Sequence, residues 1–106
     1  FHGGGHLPYQ IGRLDRAYEM RLETSKKISM KPSEYLKMFY FDTIVHSGEA
    51  LEYLINLVGA EQVMLGSDYP FDMGSYQFNV LLDEINISEA DRKKIKSENA
   101  ERLFQV

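Results

Sequence analysis

No cysteine occurs anywhere in the chain, which excludes a disulfide scaffold and a thiolate metal site. Its absence also fits a cytoplasmic protein. Long hydrophobic runs are missing too. Nothing approaches the about 18 consecutive apolar residues of a membrane span, so no membrane partner is expected. The first residues carry neither the basic nor the apolar region of a signal peptide. Positive charge is in the minority, with 12 Lys and Arg against 16 Asp and Glu and a net charge of -4, which argues against a nucleic-acid partner. The one basic cluster, Arg92, Lys93, Lys94 and Lys96, alternates with acids, as a solvated helix face does. Internal repeats and low-complexity stretches are absent as well.

What is present is a globular composition: 106 residues, 43% hydrophobic and 26% charged. That length supports one modest domain. The chain opens on Phe1-His2-Gly3-Gly4-Gly5 without a Met, a glycine-rich loop with nothing upstream to hold it. We therefore expect residues 1–106 to be a fragment of a longer protein.

The hydrophobic spacing organises the chain. His2–Tyr9, with three glycines and Pro8, reads as a loop. Leu14, Ala17, Tyr18 and Arg21 follow helical spacing within Ile11–Leu22, and Thr24–Met30 reads as a polar surface loop. Pro32 opens a short helix through Phe39. Met38–Val45, aromatic and β-branched, is the best strand signal and ends at His46-Ser47-Gly48. Leu51, Leu54, Ile55 and Val58 mark an amphipathic helix closed by Gly59. Gln62–Gly66 has the continuous apolar character of a strand buried on both faces, and ends at Ser67-Asp68. Tyr76–Ile85 reads as a helix. Ser88 and Asp91 have capping-box-like spacing before a last helix that Leu103 and Phe104 are expected to seat.

Alternation of this kind means α/β with a parallel sheet. Two strands cannot cover both faces of such a sheet, and a complete eight-stranded α/β barrel needs roughly 250 residues. The pattern demands neighbours that these residues do not include.

Three chemistry-bearing residues share one placement. His46 and Asp68 each follow a predicted strand, and His2 follows what would be the end of another, of which only Phe1 is left. In a barrel of parallel strands these ends open on one mouth. Two His and one Asp there offer nitrogen and anionic oxygen, suited to zinc or a similar divalent ion. Each residue also has a plainer reading: His2 as a structural loop residue, His46 as a hydrogen-bonded loop histidine, Asp68 as a turn residue or cap. Three coincident strand-end placements favour the joint reading.

His2 and His6 are four apart, but the glycines between them rule out a zinc-binding helix and no Glu follows His2. A lipase-like oxyanion loop would need a Gly-x-Ser-x-Gly elbow, which the chain lacks. Among Arg13, Arg16 and Arg21, Arg13 is the candidate for gripping a substrate carboxylate. Pairing with Asp15 and Glu19 at the surface is the alternative for these arginines.

At these residues a family resemblance emerges. His2-Gly-Gly-Gly-His-Leu-Pro-Tyr-Gln-Ile-Gly-Arg13, Tyr35–His46, Val63-Met-Leu-Gly-Ser-Asp-Tyr-Pro-Phe71 and Glu98-Asn-Ala-Glu-Arg-Leu-Phe104 resemble the aminocarboxymuconate-semialdehyde decarboxylase group of the amidohydrolase-related superfamily. The four strings occur in the family's order and span essentially the whole chain.

The resemblance implies the C-terminal segment of a (β/α)8 TIM-like metal-dependent hydrolase barrel. It implies His2 as a metal ligand, Asp68 as the last-strand carboxylate ligand, and His46 as the histidine that handles protons beside the metal-bound water. The family's His-x-His pair from its first strand is absent from these residues. Implied further are a divalent metal, zinc by preference, an unsaturated carboxylic acid as substrate, release of carbon dioxide, and a homodimer. A hydratase or hydrolase of the same superfamily and a non-catalytic fragment are the alternatives.

Overall fold

Pro8 does not sit in a loop. In the computed structural model, which describes residues 2–77 and 79–106, it lies in the first turn of a long helix. The chain begins with a single 3-10 turn, His2–Gly4, followed by α1, Leu7–Met20. A proline is tolerated there because the first helical N–H groups have no intrahelical partner to lose. The helix therefore starts four residues before the Ile11 that spacing suggests. The strand end expected at Phe1 lies outside the described residues.

After α1 the chain makes two short helices, α2, Leu22–Ser25, and α3, Pro32–Leu36. The first runs from Leu22, the end of the expected helix, into the stretch from Thr24 that reads as a surface loop. It is a single turn, and Thr24 ties it back by donating to the Ala17 carbonyl at 3.4 Å. α3 packs on α1: the Ser33 N–H donates to Asp15 Oδ1 at 2.9 Å, and Lys31 Nζ pairs with Glu19 Oε1 at 2.6 Å. Leu36 and Ile11 carry this layer into the core.

The sheet is smaller than the apolar runs suggest. β1 is Phe41–Asp42 and β2 is Val63–Met64, paired in parallel with Phe41 opposite Val63 and Asp42 opposite Met64. Residues 38 and 39 remain in turns off α3, through Met38 N–H to Tyr35 O and Phe39 N–H to Leu36 O. On the other side Val45 N–H bonds to Thr43 O and bends the chain away. A run of β-prone residues becomes a ladder only where a partner strand lies alongside. Among the described residues each strand has one partner, two residues long.

The connection between the strands is α4, Gly48–Val58. Ser47 caps it by accepting from Ala50 N–H at 3.3 Å, and Gly59 ends it at φ 92°. Leu51, Leu54, Ile55 and Val58, the stripe legible in the sequence, are all buried against Phe41 and Val63.

The C-terminal part closes the core from below. α5 is Val80–Glu84, shorter than the Tyr76–Ile85 helix that spacing suggests; Phe78 lies outside the described residues. Tyr76 instead donates its hydroxyl to the Phe71 carbonyl at 2.7 Å and folds a loop back on itself. α6, Glu89–Lys93, is capped by Ser88 accepting from Asp91 N–H at 3.1 Å, at the spacing expected. It runs through a π turn, Lys94–Glu98, into α7, Asn99–Phe104.

Leu103 and Phe104, expected to seat the last helix, are 36% and 65% exposed. Ile95 and Asn99 take the seat instead, at 1% and 0% exposure. Asn99 donates from Nδ2 to the carbonyls of Ala60 and Val63, both at 2.7 Å, and Ile95 O accepts from Leu65 N–H at 2.9 Å. The segment that leads to Asp68 is thus clamped from outside the sheet.

A radius of gyration of 15.2 Å, with extents of 46 × 29 × 27 Å, exceeds the about 13 Å of a compact domain this long. The parallel α/β arrangement is present; the two strands are an arc of sheet rather than a closed barrel.

Candidate metal and proton-transfer site

Each residue singled out at a strand end reaches its position through backbone that few side chains adopt. Gly3 and Gly4 have φ of 51° and 83°, and both are buried. A Cβ on Gly3 would collide with Val45 Cγ1, and one on Gly4 would lie 2.7 Å from Pro8 Cγ and 2.9 Å from Phe41 Cε1. The glycines are needed so that this loop can lie flat on the end of β1. His46 and Asp68 are also left-handed, at φ 52° and 58°, one just beyond each strand. His and Asp are among the non-glycine residues that accept this region.

The result is convergence. His2, His46 and Asp68 line one open cleft of about 480 Å³, walled by Ile44, Phe71 and Met73. His2 Nε2 lies 3.4 Å from Asp68 Oδ1. Its other nitrogen, Nδ1, lies 2.7 Å from Asp42 Oδ2. A carboxylate can only accept, so Nδ1 carries a proton toward Asp42, and Nε2 is the nitrogen that faces Asp68.

With Nε2 unprotonated, two acceptors face each other here and suit a cation between them. Tetrahedral zinc, with bonds of about 2.0–2.1 Å, sets adjacent ligand atoms about 3.4 Å apart. The separation of His2 Nε2 and Asp68 Oδ1 matches one edge of such a tetrahedron. The spacing of the pair therefore fits a divalent ion held between them. Among the described residues no group of three His, Asp or Glu side chains could hold a metal ion.

His46 is arranged differently. Its Nε2 donates to the Met73 carbonyl at 2.7 Å, which leaves Nδ1 as the nitrogen free to take or give a proton. Met73 is presented by a loop that bonds to itself: Phe71 N–H to Asp68 O, Gly74 N–H to Phe71 O and Ser75 N–H to Ser67 O. The segment that positions Asp68 thus also holds His46. Glu49, on the far flank of His2, is held below the usual carboxylate range by its own backbone N–H and then by the Ser47 hydroxyl. Its carboxylate is engaged at the start of α4.

Arg13 is not brought to this cleft. It lines a separate groove along α1 with Leu14, Arg16, Ala17, Met20 and Arg21. His6 is exposed at the start of α1 and makes no side-chain cap. Sequence reasoning missed Asp42. A signal for it existed, because it is the lone charge in the apolar run Met38–Val45. A carboxylate inside such a run is seldom there without a partner. The Met73 carbonyl had no signal, since any residue carries one.

Comparison with known proteins identifies the family. The amidohydrolase family model matches residues 2–106. The 2-amino-3-carboxymuconate-6-semialdehyde decarboxylase of Dictyostelium discoideum is 37% identical over 101 residues, 93% of this chain and 28% of that protein. Among solved structures, 5-carboxyvanillate decarboxylase from Sphingomonas paucimobilis superposes with a TM-score of 0.84 at 31% identity, covering 99% of this chain and 32% of that one. A dihydroxybenzoic acid decarboxylase from Polaromonas sp., solved with bound manganese and the inhibitor 2-nitroresorcinol, gives a TM-score of 0.82 at 30% identity, covering 98% and 32%. The chain thus spans about a third of the length of these relatives. With the family model matched across its described length and the strand-end residues gathered in one cleft, the chain belongs to the amidohydrolase family.

Proposed function

We propose that this chain is the C-terminal segment of a (β/α)8 barrel whose complete protein is a metal-dependent decarboxylase of a small unsaturated or aromatic carboxylic acid. The single observation that carries this reading is the 3.4 Å approach of His2 Nε2 to Asp68 Oδ1, with His46 on the same cleft. The naming of the relatives as decarboxylases supports the choice of reaction.

His2 and Asp68 would hold a divalent ion together with ligands from the rest of the barrel. Zinc suits imidazole with carboxylate, and manganese, present in the Polaromonas relative, suits the same donors. When bound, such an ion supplies Lewis acidity toward the substrate's oxygens. His46 delivers the proton. Decarboxylation replaces a C–CO2⁻ bond by a C–H bond: a proton from His46 Nδ1 adds to the carbon bearing the carboxylate, the C–C bond breaks, and its electron pair restores the unsaturated system as carbon dioxide leaves. Met73 O holds the imidazole through Nε2 and leaves Nδ1 for that proton. The outer walls, Ile44, Phe71 and Met73, offer an apolar face to a flat acid. The structure gives Arg13 no place in that cleft, and a carboxylate-binding role for it is not part of this reading.

The test is carbon dioxide release by the full-length gene product, loaded with zinc or manganese, from 5-carboxyvanillate, γ-resorcylate and 2-amino-3-carboxymuconate-6-semialdehyde. Release from at least one supports the reading. Turnover that consumes water without carbon dioxide would make it a hydratase or hydrolase instead.

A further inference from the structure

None of residues 67–77 is buried, although this segment supplies Phe71 and Met73 to the cleft. Phe71 and Met73 are 63% and 74% exposed, so hydrogen bonds rather than packing hold that wall in place. The two ends of the loop touch at Gly74. A Cβ there would lie 2.5 Å from the Ser67 carbonyl oxygen, 3.0 Å from that of Phe71 and 3.1 Å from that of Asp68, so glycine is needed for the chain to pass. Backbone bonds then close the turn: Ser75 N–H to Ser67 O and Phe71 N–H to Asp68 O, both at 2.9 Å, and Gly74 N–H to Phe71 O at 3.0 Å. Tyr76 adds a side chain to these. Its hydroxyl donates to the Phe71 carbonyl at 2.7 Å, so that oxygen accepts two bonds. Its ring stands edge-on to Tyr69, at 82° with centroids 6.3 Å apart. Tyr76 is thus fastened to the residues on either side of Pro70, while it does not line the cleft itself.

We infer that Tyr76 is a positioning residue for the substrate: its hydroxyl, through the Phe71 carbonyl, holds Phe71 as the outer wall against which a flat carboxylic acid packs. This rests on the decarboxylase reading above. A wall that is in place only part of the time weakens binding in proportion. Once the acid is bound the wall is in place, so the loss falls on KM and leaves kcat alone.

Tyr76→Phe tests the hydroxyl alone, because it keeps the ring against Tyr69. Phe71→Ala removes the wall and keeps the carbonyl that Tyr76 binds. If the hydroxyl acts through the Phe71 ring, the two changes together should cost little more than Phe71→Ala by itself.

The experiment uses the full-length gene product, metal-loaded, with the three acids named above, and follows amide hydrogen exchange in parallel. In Tyr76→Phe KM should rise about 3–10-fold, the worth of one hydrogen bond, with kcat, metal content and melting temperature nearly unchanged. The amides of Phe71, Gly74 and Ser75 should exchange faster by a similar factor. A KM in Tyr76→Phe equal to that of the unaltered protein would overturn the inference. So would fully additive losses in the double variant, since Tyr76 would then act without Phe71. Unchanged exchange at the three amides overturns it whether or not any acid is turned over. A protein that decarboxylates none of the acids yet shows the faster exchange would sink the decarboxylase reading while leaving the hold of Tyr76 on the loop intact.

Discussion

His46 and Asp68 share a backbone state: φ is 52° at one and 58° at the other, each just beyond a strand of the parallel pair. Holding two non-glycine residues in the left-handed region costs about 1–3 kcal/mol each and persists where the surroundings over-determine it. Here the self-bonded loop from Ser67 to Ser75 supplies the constraint for both, through the Phe71 N–H on the Asp68 carbonyl and the Met73 carbonyl on His46.

For Asp68 the charge and the backbone separate experimentally. Asp68→Asn keeps a side chain that tolerates the left-handed region but removes the anion. It should weaken metal binding strongly and leave thermal stability nearly unchanged. Asp68→Ala should weaken binding and also cost about 1 kcal/mol of stability. Metal titration and denaturant unfolding of both variants in the full-length protein check this. Full metal retention by Asp68→Asn would remove Asp68 from the ligand set.

His46 should behave in the opposite way. In His46→Ala turnover should fall by at least about 100-fold, as for loss of a general acid, with metal content unchanged. Loss of metal together with activity would make His46 a ligand and undo the role given to it here.

Gly3 is a local test of how the loop lies on β1. Gly3→Ala places a methyl group against Val45 Cγ1 at φ 51°, and should destabilise by about 2 kcal/mol. Adding Val45→Ala should recover the steric part and leave the backbone part. Denaturant midpoints of the single and double variants measure the division. No loss of stability in Gly3→Ala would mean the loop relaxes freely.

Acid stability should involve Lys94, which bonds to Glu61 at 2.7 Å and Asp91 at 3.2 Å. Both carboxyls are held below their usual range, chiefly by that ammonium group. A lowered folded-state pKa contributes stability above the unfolded value and loses it as pH falls through the folded one. The contribution is therefore complete above the ordinary carboxylate range and fades below it. Lys94→Met should lower the melting temperature slightly at neutral pH and flatten its decline between about pH 4 and 2. The pair is exposed, so the effect should also shrink in high salt.

Much of this arrangement was legible in the sequence where a periodic stripe met a capping residue. Leu51, Leu54, Ile55 and Val58 between Ser47 and Gly59 gave α4, and Ser88 with Asp91 gave the start of α6. The placement of His46 and Asp68 on one cleft followed from their positions after apolar runs, with His2 after Phe1 beside them. Strand length was not legible, because a ladder depends on its partner, and Met38–Tyr40 and Thr43–Val45 have none here. Nor was the seat of the last helix, which Ile95 and Asn99 take while Leu103 and Phe104 stay exposed. Tertiary hydrogen bonds decided the rest: Asp42 on His2 and Met73 on His46 join residues 40 and 27 positions apart.

The most direct test of the central claim is elemental analysis of the full-length gene product, purified without chelator or added metal. The account predicts about one zinc or manganese ion per chain, reduced in Asp68→Asn. A folded protein that contains no divalent metal, and takes up neither zinc nor manganese on titration, would contradict it and leave His2 and Asp68 as loop residues.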